Sequence, residues 1–249
     1  MTNILLTNDD GFRATGLRRL KEAVSRIGDV TIVAPEREQS AASHALTLTS
    51  PLRISWVDEN TISVDGTPTD CVLLAMRGLL GRRPDLLISG INHGPNLGDD
   101  VTYSGTVAAA FEGTLLGLPS MALSVCSWQD CNFDAAAEFA TRIAGEVLGH
   151  GLPEGTLLNV NVPSTPAVEI RGVKVTRLGK RLYRDAIVRK TDPRGRDYYW
   201  IGGKEPIWVP GEETDFEAIE QGMISVTPLK IDLTDYGSLD LLRSWELTF

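Results

Sequence analysis

The chain has 249 residues, of which 42% are hydrophobic and 23% are charged, and its formal net charge is −9. This length and hydrophobic content suit one large domain, or a domain with an arm, and exclude a chain that is disordered throughout. The acidic balance argues against binding of nucleic acid polymers, because non-specific affinity for them comes from cationic side chains that neutralise phosphates.

The cysteines and the N-terminal segment bear on the cellular compartment. Cysteine occurs at positions 71, 126 and 131 without CxxC spacing, so we expect a reducing compartment and neither a disulfide framework nor a structural zinc site. The opening MTNILLTNDDGF has no basic stretch, and no segment approaches the roughly 18 to 20 apolar residues of a membrane span. We therefore expect a cytoplasmic protein with no membrane partner.

Apolar strands and amphipathic helices alternate through most of the chain. Residues 4–6, 29–34, 85–89, 120–125 and 157–162 are predicted strands, and residues 15–27, 71–80, 107–116 and 134–148 are predicted helices. Residues 67–70 are the predicted start of the helix at 71–80, with Thr67 as its N-cap and Pro68 in its first turn. Strands that are joined by helical crossovers run parallel. The pattern therefore predicts an α/β fold, doubly wound, with a mostly parallel sheet.

Less regular segments complete the predicted architecture. They are short strands at 46–48, 52–57 and 61–64 that form an antiparallel insertion or edge, a polar glycine-rich loop at 90–103, a strand at 173–178, an extended arm at 180–213, a short helix at 214–221 and a strand at 223–229 that returns to the main body. We therefore predict a core of residues 1–165 and a C-terminal extension of residues 166–249 that contains the arm.

Polar side chains follow three of the predicted parallel strands. Asp9 and Asp10 come after the first strand, residues 36–40 after the second, and Asn92 and Asn96 after the strand at 85–89. Ligands of open α/β sheets bind at the carboxyl ends of the strands. We therefore expect these side chains to collect at one edge of the sheet and to form the functional site.

Two adjacent carboxylates at a strand end favour a cation. Asp9 and Asp10 repel each other unless positive charge lies near them, and a hard divalent ion prefers such oxygen ligands. The same Asn-Asp-Asp-Gly segment is also good chemistry for a solvated turn. Ser40 and Asn92 offer neutral oxygens, although side chains of these types more often cap helices or bond within loops.

The segment Ser104-Gly105-Thr106 precedes an apolar helix. Free N–H groups and the dipole at a helix N-terminus favour an anion such as phosphate, and Gly105 allows close backbone approach. An ordinary helix cap is the alternative interpretation. His93, in the predicted loop, is open to two roles, substrate contact or structural hydrogen bonding.

The quoted residues resemble the SurE survival-protein family of 5′-nucleotidases. The matching segments, in family order, are ILLTNDDG at 4–11, APEREQSAAS at 34–43, SVDGTPTDCV at 63–72, DLLISGINHGPNLGDDVTYSGTVAAAFEG at 85–113 and LLNVNVP at 157–163. The resemblance implies a Rossmann-like three-layer α/β/α sandwich with a C-terminal segment exchanged between subunits of a homodimer or homotetramer.

The resemblance also implies a site and an activity. It implies hydrolysis of nucleoside 5′-monophosphates and 3′-monophosphates, and also of short polyphosphate, with one divalent ion, Mg²⁺ or Mn²⁺, per subunit. The implied ion ligands are Asp9, Asp10, Ser40 and Asn92, and the implied phosphate contacts are Asn96, Ser104, Gly105 and Thr106. We take Asp9 and Asp10 as the catalytic residues, with Asp9 orienting or deprotonating the attacking water.

Two other functions compete with this interpretation, and one charged segment has two possible roles. A haloacid dehalogenase-type phosphatase needs an Asp-x-Asp motif, which the Asn8-Asp9-Asp10-Gly11 spacing does not supply. A non-enzymatic nucleotide-binding stress protein would hold phosphate without hydrolysing it.

Residues 171–197 contain ten Lys or Arg and three Asp or Glu. They either attract anionic substrates or, as we favour, pair with the acidic body of a partner subunit.

Overall fold

The computed structural model describes residues 2–182, 187–201 and 207–247. Its strands are β1 (Asn3–Thr7), β2 (Asp29–Pro35), β3 (Ile54–Asp58), β4 (Thr61–Val64), β5 (Leu86–His93), β6 (Ser120–Cys126), β7 (Thr156–Pro163), β8 (Val173–Val175), β9 (Lys180–Leu182), β10 (Ile187–Thr191), β11 (Asp197–Ile201), β12 (Ile207–Val209) and β13 (Ile224–Lys230). Its α-helices are α1 (Thr15–Val24), α2 (Pro68–Leu74), α3 (Gly105–Leu115), α4 (Phe133–His150), α5 (Asp215–Glu220) and α6 (Leu239–Arg243).

Nine strands form one sheet in the order β3-β4-β2-β1-β5-β6-β7-β13-β8. In this order, each pair of neighbouring strands from β4 through β2, β1, β5 and β6 to β7 is parallel. At the two sides of this parallel block, β3 is antiparallel to β4 and β13 is antiparallel to β7. This mostly parallel sheet with helical crossovers confirms the predicted α/β fold class. The predicted division at residue 165 stays a prediction, although β13 joins the same sheet as the strands before that residue.

Helices cover both faces of this sheet. Alternate residues of β1 divide between two cores, because Ile4 and Leu6 pack with α1 and α4, whereas Leu5 packs with α2 and α3. The periodic apolar residues of α1, such as Leu17 and Leu20, are fully buried against the first core. The chain therefore forms three layers, and the two helical layers fix the strand ends between them.

Several local predictions need correction. Residues 46–48 form no strand, and the first strand of the antiparallel edge is Ile54–Asp58. The strand predicted to end at residue 89 continues to His93, because Gly90 adopts a φ of 138° at a bulge against β6 and pairing then resumes. The predicted loop therefore begins later, and it contains a 3-10 turn at Gly98–Thr102.

Helix ends follow the predicted capping chemistry. The side chain of Thr67 accepts the Asp70 N–H in a capping box, with Pro68 in the first turn of α2. The helix therefore begins where the sequence predicted, and after α2 it continues as a wider π-helical turn at Ala75–Leu79. Thr214 caps α5 in the same way by accepting the Glu217 N–H. None of the described helices is long and apolar enough to cross a membrane.

The C-terminal extension contains two small antiparallel sheets. β9 pairs with β12 near the body, and β10 pairs with β11 as a hairpin. The predicted arm at 180–213 also includes residues 183–186 and 202–206, which lie outside the described residues. The predicted strand at 173–178 is shorter, as β8, and the strand that returns to the body is β13, as predicted.

Candidate functional site

The carboxyl ends of β1 and β5 form the crevice that holds the predicted residues. β1 lies between β2 and β5, so the chain winds away from it in both directions, and such switch points open a crevice outside the strand ends. The Asn8 side chain donates to the Gly11 carbonyl over 3.0 Å. Gly11 has a φ of 95°, which favours glycine. This turn directs Asp9 and Asp10 into the crevice.

Asp9 is a buried carboxylate with a defined partner. Its Oδ1 accepts the hydroxyl of Thr106, and its backbone carbonyl accepts the Gln39 N–H over 2.7 Å. Burial raises the pKa of Asp9, and the Thr106 hydrogen bond opposes part of that rise. Asp9 thus joins β1 to the segment after β2 and to the first turn of α3.

Asp10 lies at the same edge, nearer to solvent. Burial, and then the charge of Asp9, raises the pKa of Asp10 to about 7. The N–H of His93 donates to Asp10 Oδ2 over 3.3 Å, and this hydrogen bond lowers the pKa of Asp10. The carboxylate of Glu38 adds further negative charge near both aspartates. The crevice therefore concentrates negative charge that a cation would neutralise.

The oxygen donors present suit a hard divalent cation. Within the described part of the chain, no group of three or more His, Cys, Asp or Glu side chains could hold a metal ion, so a cation here would need neutral oxygens as well. Asn92 is 9% exposed, and its amide nitrogen donates to the Gly94 carbonyl over 2.9 Å, which leaves the amide oxygen for a ligand. Ser40 is exposed and donates to Glu38 over 2.6 Å.

The first turn of α3 abuts Asp9. The Ser104 hydroxyl caps the helix by accepting the Val107 N–H over 3.1 Å. A Cβ added at Gly105 would lie 2.9 Å from Asp9 Cβ and 3.0 Å from Asp9 Oδ2, so only glycine permits this approach. The N–H groups of the turn and the hydroxyl of Thr106 thus lie beside the carboxylate of Asp9. A phosphate oxygen at this position could contact the N–H groups and the hydroxyl.

In the described contacts, hydrogen bonds to β6 and β7, rather than to the aspartates, hold Asn96 in place. Its N–H donates to Asn161 Oδ1 over 2.9 Å, and its carbonyl accepts from the amides of Asn159 and Asn161. Its side chain bonds Ser124, which pairs in register with Asn92. Asn96 thus lies one strand away from the predicted ion ligands.

Sequence reasoning missed several residues of this edge. Asn159 and Asn161 are fully buried in β7, and their alternation in LLNVNVP was the signal that could have identified them, because buried amides need partners. Glu38 was not missed, because it is one of residues 36–40 that were expected at this edge, and its charge lies near Asp9 and Asp10. Asp215 was missed because it is distant in sequence, yet it accepts N–H groups of Gly98 and Gly179 over 2.7 and 2.8 Å.

Comparisons with known proteins find relatives over most of the chain. The family model described as Survival protein SurE matches residues 4–185. A protein of Geobacter sulfurreducens that is named 5′-nucleotidase SurE is 55% identical over 247 residues, which cover 99% of this chain and 94% of that protein. A protein of Geotalea uraniireducens with the same name is 54% identical over 98% of this chain and 99% of that protein.

A solved structure has the same fold. The crystal structure of the SurE protein from Aquifex aeolicus matches with a TM-score of 0.87 and 43% identity, over 97% of this chain and 98% of that chain. The family model covers most of the chain, and the curated relatives cover nearly all of it. The chain therefore belongs to the SurE survival-protein family.

Proposed function

We propose that this chain is a metal-dependent 5′-nucleotidase that hydrolyses nucleoside 5′-monophosphates to nucleoside and phosphate at the Asp9–Asp10 edge of the sheet. The observation that carries the proposal is the pair of adjacent carboxylates with raised pKa values beside the N-terminus of α3. The relatives that carry the name 5′-nucleotidase SurE support the same activity. Nucleoside 3′-monophosphates and short polyphosphate are further proposed substrates.

Asp9, Asp10, Ser40 and Asn92 would hold one Mg²⁺ or Mn²⁺ ion. Two carboxylates supply the charge, and the Asn92 amide and Ser40 hydroxyl supply neutral oxygens, a set that suits either ion. A bound ion of this kind polarises the phosphate and lowers the pKa of a coordinated water. Burial raises the pKa of both aspartates, and the charge of Asp9 raises that of Asp10 further, so a bound cation would stabilise their ionised forms.

Asp9 would act on the attacking water through Oδ2. Its Oδ1 already accepts the Thr106 hydroxyl, which fixes the orientation of the carboxylate. In the reaction, the water oxygen forms a bond to phosphorus, the bond between phosphorus and the 5′ oxygen of the nucleoside breaks, and that oxygen takes up a proton. Asp9 thus orients or deprotonates the water, and Asp10 balances the charge of the ion.

Ser104, Gly105 and Thr106 would stabilise the charge on the phosphate oxygens. Their N–H groups lie at the first turn of α3, where the helix dipole favours an anion. Asn96 would contribute an amide N–H to the same oxygens. The Ser124 hydroxyl can donate or accept, so the Asn96 amide can turn its nitrogen toward the phosphate and keep the hydrogen bond to Ser124.

The C-terminal extension would join copies of the chain into a homodimer or homotetramer. β10 and β11 form a hairpin whose strand residues are all exposed in the single chain, and an isolated two-stranded hairpin is marginally stable in water. The basic stretch at 171–197 would pair with the acidic body of a partner subunit, because the remaining residues carry the excess of negative charge. The three free cysteines suit the cytoplasm, where we place the protein.

Phosphate release tests the proposed function. The purified chain is first treated with EDTA and assayed with nucleoside 5′-monophosphates and 3′-monophosphates, and Mg²⁺ or Mn²⁺ is then added. We expect release only after an ion is restored. Tight nucleotide binding without release under either ion would favour the binding-protein alternative, and a trapped aspartyl-phosphate would favour a haloacid dehalogenase-type route.

A further inference from the structure

The loop between β6 and α4 reaches the same edge of the sheet. Residues 127–132 hold their shape through local hydrogen bonds, because the Ser127 N–H donates to the Val125 carbonyl over 2.9 Å and the Cys131 thiol donates to the Ser127 carbonyl over 3.1 Å. The N–H of Asn132 donates to Ser164 over 3.0 Å, which ties the end of the loop to the segment after β7. This loop therefore holds its side chains in a defined position beside the crevice.

Trp128 covers Gly94 with one face of its indole. A Cβ added at Gly94 would lie 2.4, 2.5 and 2.7 Å from the adjacent ring atoms Cζ3, Cη2 and Cε3. A point beyond the ring edge cannot be almost equally near to three adjacent atoms, so Gly94 lies against the face of the ring. Trp128 nevertheless remains 69% exposed. One indole face is thus supported by the Gly94 backbone, and the other face is open to solvent.

Trp128 lies against Gly94, which adjoins residues of the proposed ion site. The Gly94 carbonyl accepts from the amide of Asn92, and the N–H of the adjacent His93 donates to Asp10. The N–H groups of Gly94 and Ser127 both donate to the Val125 carbonyl, over 3.2 and 2.9 Å, which joins the start of the loop to the end of β5. A phosphate bound at the crevice would therefore have its nucleoside within reach of Trp128.

We propose that Trp128 is a specificity-determining residue that stacks on the nucleobase of the substrate, an inference that rests on the proposed function. Every nucleobase has an aromatic face, so stacking on an indole accepts all bases and rejects phosphomonoesters that lack one. The contact is the same in the ground state and in the transition state, since the base does not react. Trp128 therefore lowers KM for nucleotides and leaves kcat unchanged.

Steady-state kinetics of variants test this assignment. Trp128→Ala and Trp128→Phe are compared with Trp56→Ala, a matched control whose tryptophan is 59% exposed on the edge strand β3. Each protein is assayed with adenosine 5′-monophosphate and with ribose 5-phosphate, which carries the same phosphate and no base. We expect Trp128→Ala to raise KM for adenosine 5′-monophosphate about 5- to 30-fold, from the lower half of the range for base stacking, and to leave kcat and ribose 5-phosphate hydrolysis unchanged.

The two controls separate stacking from loop damage. Trp128→Phe keeps an aromatic face, so we expect its KM to stay within about threefold of the wild type, and Trp56→Ala should match the wild type on both substrates. Equal losses on both substrates in the Ala and Phe variants would show that Trp128 only supports the Gly94 loop and would overturn the proposal, as would an unchanged KM in Trp128→Ala. Failure of the wild type on both substrates under any ion would instead overturn the proposed function itself.

Discussion

The two ends of this molecule use β-structure in opposite ways. At the edge formed by β1 and β5, strands buried on both faces deliver polar side chains into a crevice, where Asp9 accepts the Thr106 hydroxyl and Asp10 accepts the His93 N–H. In the hairpin, every residue of the strands β10 and β11 is exposed, including the apolar side chains of Ile187, Tyr199 and Ile201. The first arrangement is complete within one chain, whereas the second leaves an apolar surface uncovered.

This contrast separates residues that the chain itself holds in place from a surface that a second copy would cover in the proposed assembly. The crevice residues are held by the body, through contacts such as Thr106 with Asp9 and Asn96 with the asparagines of β7. The hairpin buries little against the body, so its apolar side chains add no stability to the single chain. Substitutions at the crevice should therefore change chemistry, and substitutions in the hairpin should change assembly.

The largest effect is expected from Asp9→Asn. The substitution keeps the shape of the side chain and removes both the charge for the ion and the proposed base, so kcat/KM for nucleoside monophosphates should fall about 10³-fold or more. Asp58→Asn, on the edge strand β3, is the matched control and should keep full activity. Phosphate release and calorimetric titration with Mn²⁺ measure the two losses. Full activity of Asp9→Asn with the ion bound would refute the assignment.

Gly105→Ala should have the next largest effect. The new Cβ would meet Asp9 at 2.9 Å, so either α3 or Asp9 must move. A displacement of this kind in a catalytic group reduces kcat by about 10²-fold. Circular dichroism and phosphate release distinguish this local change from unfolding.

Gly145→Ala in α4 is the matched control for that substitution. A Cβ at Gly145 meets nothing within 4 Å, and alanine is the better helix former by roughly 0.5–1 kcal/mol. We expect Gly145→Ala to raise the melting temperature slightly and to keep full activity. Comparable activities of the two alanine variants would mean that the close approach of α3 to Asp9 has no catalytic role.

The same contrast explains how far the sequence predicted the structure. The fold class followed from periodicity, because strands such as β1 and helices such as α1 carry their apolar pattern locally. The strand predicted at 46–48 was wrong because alternation alone does not supply a pairing partner. The length of β5 was underestimated because Gly90 signals a turn in sequence, whereas in the structure it forms a bulge within the strand.

The candidate site was predictable in part. The rule that ligands lie at the carboxyl ends of strands predicted that Asp9, Asp10, residues 36–40, Asn92 and Asn96 share one edge, and the helix start at 104–106 indicated an anion contact. The family resemblance then assigned the individual roles, including those of Ser40 and the phosphate contacts. The partnership of Asp9 with Thr106 joins residues 97 positions apart, so no local pattern could reveal it. The roles of these residues in catalysis remain predictions that the variants above would test.

Charging the hairpin should change assembly without changing the body. Ile187 pairs with Ile201 on one face, and they are 68% and 92% exposed. The double substitution Ile187→Lys with Ile201→Lys should leave the single chain folded, because it removes little buried surface, and should lower the molar mass in light scattering at least twofold if copies join through this face. Leu48→Lys, at an 84% exposed body position, is the control. An unchanged mass in the double variant would exclude the hairpin from the interface.

The smallest effect concerns the pH dependence of stability without a divalent ion. The pKa of Asp10 is raised from 3.8 to about 7, so between these values the native chain binds more protons than the unfolded chain, and the free energy of unfolding falls as pH rises. Asp9 and Asp215, whose pKa values burial also raises, act in the same direction. In EDTA, the melting temperature should therefore decrease from about pH 4 to about pH 7, and Mg²⁺ should offset the decrease at the upper end of this pH range.

Asp10→Asn should flatten the slope of melting temperature against pH, whereas Asp58→Asn should not, because the Asn60 N–H lowers the pKa of Asp58. A slope that is identical in wild type and Asp10→Asn would show that the crevice carboxylate does not limit the stability of the ion-free chain.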